Sequence, residues 1–261
     1  MNSEHPRIYR TQAGDRYPAG ATPSDRGVNF SIYSRHARHV ELLLFINADD
    51  PAPFQVIPLE ARSNRTFFFW HVFVVGLPAG THYAWRMDGP GNTHESGFRF
   101  DRDKVLLDPW ARGVTDTLWE RSRACLPGSN VDSSMRAVVE SMDYDWQGDE
   151  PLGCIRPEVT VIYELHVGGF TSDPASGVTH PGTFLGVIEK IPYLEELGVT
   201  HVELMPVMAF DRQDVPPGLL ELGLENYWGY STHSYFSPHP GYCTSPHAGA
   251  HIREFLSLIH I

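Results

Sequence analysis

The sequence predicts a multidomain chain, a β-sandwich followed by an α/β unit, and three observations carry that prediction. Residues 8 to about 110 contain short β-prone runs separated by Gly, Pro and Asp turns, with no helical period of useful length. Residues 159–207 contain two apolar runs joined by an amphipathic helical pattern, the mark of a βαβ crossover with parallel strands. Between them, residues 113–158 are rich in Gly, Ser, Pro and Asp, as a connector is.

Each element has its own warrant. Residues 27–34 alternate apolar and polar side chains, as a half-buried strand does. Residues 40–45 and, more weakly, 54–59 read as the next strands, and 66–75 is the most β-prone run of the chain. Residues 80–87 close the set. In the connector only 135–140 looks strand-like. In the second part, 159–166 is a buried strand ending in a glycine turn. Phe184, Val187, Ile188, Ile191, Leu194 and Leu197 then share one helical face. Gly198 stops that helix, since glycine is free of the left-handed penalty at this position. The second apolar strand is 199–207. The polar, aromatic loop after it, containing Asn226, Trp228 and Tyr230, lies where α/β folds place binding and catalysis.

Composition narrows the function. Thirty-two acidic against 20 basic residues give a net charge of −12, with no basic cluster. Nucleic acid and anionic membranes both need a positive footprint, so neither is an expected partner. No run approaches membrane-spanning length and residues 1–6 carry no apolar stretch, so the chain is expected to be cytoplasmic. Cys125, Cys154 and Cys243 are widely spaced and form neither a metal pair nor a disulfide framework. His233, His239, His247 and His251 crowd together without closed ligand spacing, so no metal and no cofactor is expected. The serine-nucleophile elbow and the phosphate-cradling loop are both absent. Glu164 and Glu203 sit on adjacent strands and could approach each other, but satisfied strand-end carboxylates account for them better than a dyad does.

Several motifs together resemble one known family. Gly27-Val-Asn-Phe-Ser-Ile-Tyr-Ser34, Tyr83-Ala-Trp-Arg-Met-Asp-Gly89 and Phe100-Asp-Arg-Asp-Lys-Val-Leu-Leu-Asp-Pro-Trp-Ala-Arg112 look like the N-terminal carbohydrate-binding sandwich, immunoglobulin-like and of the family 48 type, of isoamylases and glycogen debranching enzymes. Met142-Asp-Tyr-Asp-Trp146 is similar to the segment leading into that family's catalytic barrel. Tyr163-Glu-Leu-His-Val-Gly-Gly-Phe-Thr171 and the run 191–207 resemble the first strand, first helix and second strand of the α-amylase superfamily (β/α)8 TIM barrel. Asn226-Tyr-Trp-Gly-Tyr230 with Tyr235-Phe-Ser-Pro-His-Pro-Gly-Tyr242 resembles the isoamylase subgroup in particular.

The resemblance implies domains at 1–112 (sandwich), 113–150 (connector) and 151–261 (start of the barrel, truncated after about two strands). It implies a retaining glycoside hydrolase that cleaves α-1,6 branches of glycogen or starch, with α-glucan as partner. Such hydrolysis needs two carboxyl groups about 5 Å apart. The family's Asp nucleophile, Glu acid and helper Asp fall on strands beyond this chain, so no catalytic residue is expected here and the chain is expected to be inactive alone. The resemblance makes Tyr230 a sugar-stacking residue, Asn226 a hydrogen-bond donor or acceptor and Trp228 a wall, although Tyr227 and Trp228 packing the loop is an equal reading. On the sandwich, Trp70, Tyr83, Trp85 and Trp110 are either a glucan surface or core. Rival parents are a branching enzyme or a malto-oligosyltrehalose trehalohydrolase relative, and a rival class is a non-catalytic glucan-binding module. In the barrel part, Ile162, Leu165, Val202 and Leu204 are expected to be exposed.

Overall fold

The computed structural model describes residues 8–141, 143–150, 153, 156–245 and 249–261, in two units spanning 1–141 and 142–261.

The first unit is two antiparallel sheets. One runs in the order β1 (Thr11–Ala13), β7 (Phe69–Val75), β3 (Gly27–Tyr33), β2 (Gly20–Ser24), with β6 (Arg65–Thr66) paired to β7. The other runs β10 (Gly113–Thr115), β11 (Arg136–Val138), β8 (His82–Asp88), β4 (His39–Phe45), β5 (Gln55–Leu59), with β9 (Val105–Leu106) on β8. β3, β4, β5, β7 and β8 follow the predicted runs because alternate side chains of each sheet meet across the sandwich. Phe30 of β3 meets Tyr83 of β8 edge-on at 4.9 Å. Leu42 and Leu44, paired in register with Trp85 and Tyr83, share that buried layer. Trp70, Tyr83 and Trp85 are therefore core, while Trp110 is half-buried.

Two expectations are corrected here. The segment 113–150 is not a free connector: β10 and β11 join the second sheet, and the unit runs to Ser141. Three-residue strands are too short to show a period in sequence. Their segment also covers the outer face of β4, where Leu43, Phe45, Ala84 and Val105 form a second buried cluster against Val131. The Arg136 guanidinium lies 4.0 Å over the Phe45 ring and donates to the Ser134 and Val131 carbonyls. A boundary at 112 would strip that cover, because β4 is apolar on both faces.

The second unit holds β12 (Ile162–Leu165) and β13 (His201–Leu204), parallel, with Leu165 opposite Leu204. The second correction is that the single helix expected over 184–197 is two, Phe184–Glu189 and Ile191–Glu196. Lys190 turns to φ −98°, ψ 1°, and Pro192 has no N–H to continue the ladder. The apolar face survives the break: Phe184, Val187 and Leu194 pack with Leu165, Val207, Phe210 and Tyr242. Gly198 takes φ +83°, as the stop required. Of the residues expected to be exposed, Ile162 (60%) and Val202 (41%) are, Leu165 is buried and Leu204 is half-buried. A last helix, Ala250–His260, buries His251 and Ile252. Tyr144 reaches its far end through Ser257 Oγ at 3.2 Å. Among the described residues no helix is long and apolar enough to cross a membrane.

Candidate functional site

The second unit's loops converge on His166, the residue just after β12. Its Nδ1 accepts from the Gly169 N–H at 3.0 Å, capping the helical turn Val167–Phe170. That bond leaves Nδ1 without a proton, so in the neutral ring Nε2 carries it. Nε2–H then donates to the Tyr227 carbonyl at 2.8 Å. Tyr242 Oη, 3.1 Å from the same nitrogen, faces a donor, so its own proton is free for another acceptor. The Tyr227 ring stacks on His166 at 4.2 Å and 21°. Gly169 is required by this approach, since a Cβ there would run into the Tyr227 hydroxyl.

His166, Tyr227 and Tyr242 line a cavity of about 450 Å³ together with Phe210, Arg212, Asn226 and His239. His239 stacks on Phe210 at 4.0 Å, and its buried Nδ1 has no partner among the described residues. Burial, reinforced by Arg212, His251 and His233, lowers His239 to about pKa 3. Burial alone lowers His251 to about 4. Burial pushes the Tyr242 phenol well above its ordinary value, with Tyr227 adding to it. At neutral pH His239, His251 and Tyr242 are therefore uncharged. The charged lining groups are Arg212 and Glu225, ion-paired with each other. Such a lining suits hydrogen bonding to a neutral polyhydroxylated ligand and offers no carboxylate pair.

Of the three candidate contact residues, the structure brings only Asn226 to the cavity. Its side chain is occupied as a loop brace: Nδ2 donates to Asp211 O at 3.1 Å, and Oδ1 accepts from Gly229 N–H at 3.3 Å. Trp228 (55% exposed) and Tyr230 (71%) stand on the loop outside that lining. His166, His239 and Tyr242 were not among the expected contact residues: His166 carries the signal of a polar residue after a strand's C-terminal end, and His239 and Tyr242 stand within the motif Tyr235–Tyr242. Glu164 and Glu203 are register partners, both exposed and away from the cavity. Among the described residues no group of three His, Cys, Asp or Glu could hold a metal. His247 and Cys154 lie outside the described residues.

Residues 18–111 match carbohydrate-binding module 48, described as the isoamylase N-terminal domain. The chain is 39% identical over 237 residues to isoamylase 1, chloroplastic, of Oryza sativa, covering 88% of this chain and 28% of that protein. It is 36% identical to a glycogen debranching enzyme of Cronobacter sakazakii, covering 95% of this chain and 37% of that one. It thus spans about a third of the length of these curated relatives. A solved pullulanase from Paenibacillus barengoltzii, in complex with maltohexaose and alpha-cyclodextrin, shares the fold at TM-score 0.70 and 23% identity, over 94% of this chain and 36% of that one. The first unit thus matches a carbohydrate-binding module 48, and over most of its own length the chain is similar to isoamylases and glycogen debranching enzymes.

Proposed function

We propose that this chain supplies the α-glucan-binding part of a debranching glycoside hydrolase acting on α-1,6 branches, and that residues 142–261 are the opening portion of its (β/α)8 barrel. The observation that carries this reading is the loop bearing Trp228 and Tyr230. Asn226 and His166 brace it through three polar contacts, yet both rings stay open to solvent. Rigid exposed aromatic rings suit the apolar face of a pyranose, and the Tyr230 hydroxyl adds a hydrogen bond. The module at 18–111 and the debranching relatives point to the same ligand class.

Titration of the chain with maltohexaose tests it. Tyr230→Ala is expected to weaken binding roughly tenfold, the size of one lost stacking contact of about 1.4 kcal/mol. Unchanged affinity would remove Tyr230 from the site. The chain by itself is expected to release no reducing ends from pullulan, because the one carboxylate lining the cavity, Glu225, is held by Arg212. Steady turnover by homogeneous protein would overturn that expectation.

A further inference from the structure

The β6–β7 hairpin of the sandwich is closed by two residues, Phe67 and Phe68. Phe67 has φ +55°, at the first central position of a two-residue hairpin turn, where glycine is the usual occupant. A bulky side chain in that region strains the backbone, and such strain persists where something else selects it. Packing does not select it here, since Phe67 is 77% exposed. Phe68 is exposed beside it and meets Tyr33 edge-on at 6.1 Å, and Tyr33 also meets Phe69 at 5.3 Å.

The tip is rimmed by guanidinium groups. Arg16 lies 5.7 Å from the Phe67 ring centre, and Arg35 lies 5.4 Å from that of Phe68. Arg65 spends its donors on backbone carbonyls, giving Nε–H to Phe67 O of the hairpin at 2.9 Å and Nη2–H to Arg35 O of the segment after β3 at 3.1 Å. Arg65 is thus a brace that fixes the tip, as Asn226 is for the other loop. Arg16 and Arg35 present donors beside open rings.

We propose that this hairpin tip is a second α-glucan contact surface, with pyranose faces resting on Phe67, Phe68 and Tyr33 and hydroxyl oxygens accepting from Arg16 and Arg35. The proposal rests on the glucan reading above. Flat rings supply the stacking surface and the two arginines supply the complementary donors that a diol lacks in an aliphatic patch. The rings Tyr33, Phe67 and Phe68, with Arg35, also lie inside the 18–111 module match. An acidic protein partner would use the same arginines but through charge, which salt screens.

The test is binding of the full chain to soluble glycogen at 50 mM and 500 mM salt (concentrations on the order of those spanning strong to weak screening), with Phe67→Gly, Phe68→Ala and Tyr230→Ala compared. Phe67→Gly is expected to raise the unfolding midpoint by relieving the positive φ, and to weaken glycogen binding severalfold at both salt concentrations. Phe68→Ala is expected to weaken binding without the gain in midpoint. Wild-type affinity in Phe67→Gly and Phe68→Ala, with Tyr230→Ala impaired, overturns the tip while sparing the glucan reading. Capture of polyglutamate, lost in high salt, with glycogen binding unaffected by the tip variants, assigns the surface to an acidic partner and also overturns it. No glycogen binding by the wild-type chain overturns both readings.

Discussion

Acidification from pH 7 to pH 4 is expected to cost residues 142–261 on the order of 5 kcal/mol of stability, comparable with the whole stability of a small domain. The cause is two buried imidazoles. His239 and His251 ionise at about 3 and about 4 in the fold, against roughly 6.5 when unfolded. Both folded values are depressed, so this contribution is complete above about pH 6.5 and is lost as pH falls toward the folded values. Between those limits the unfolded chain holds up to two more protons, a slope of at most about 2.7 kcal/mol per pH unit. Urea titrations across this range, following the second unit, would measure the slope. His239→Asn with His251→Asn should flatten it, and an unchanged slope would show that other groups carry the acid sensitivity.

Asp108→Ala is expected to be the most damaging small change in the sandwich. Asp108 Oδ2 accepts from Tyr83 Oη at 3.0 Å and from Trp85 Nε1 at 3.1 Å, and Oδ1 from the Trp110 N–H at 2.9 Å. Tyr83 and Trp85 are fully buried, so alanine leaves two donors with no water to turn to. At about 1–3 kcal/mol each, the expected loss is about 2–6 kcal/mol, read from the denaturant midpoint. Asp108→Asn keeps an acceptor in place and should lose less; equal losses would mean that the charge matters more than the geometry. Burial raises the Asp108 pKa despite these bonds. Its folded value is raised, so its contribution is largest below the ordinary carboxylate range and declines as pH rises through the folded value. The pH dependence of this carboxyl is opposite in sign to that of the two histidines.

How much of this was legible in the sequence depended on whether the cause was local. Runs such as 27–33 and 69–75 announce themselves because β-branched and aromatic side chains must line a buried face. β11 falls inside the strand-like run 135–140, but β10 did not announce itself, because what makes it a strand is pairing with β11, not its own three residues. The helix break at Lys190 has a sequence signal in Pro192, which the apolar spacing through Leu197 does not show. For the site, composition picked out the loop containing Asn226, Trp228 and Tyr230. It left unresolved that Asn226 faces inward to hold the loop, and that His166 comes within reach of Tyr227 and Tyr242, 61 and 76 residues away. Contacts of that separation are set by tertiary packing.

The tryptophans are partitioned in a way that has an optical consequence. Trp70 and Trp85 are sealed in the sandwich, whereas Trp228 stands open on the loop of the second unit and Trp146 is also exposed. A collisional quencher such as acrylamide will reach the exposed indoles and not the sealed pair. Ligand arriving at Trp228 should therefore appear as loss of quenching, while melting of the sandwich should appear as its gain. Without any label, one emission experiment separates saccharide occupancy from unfolding.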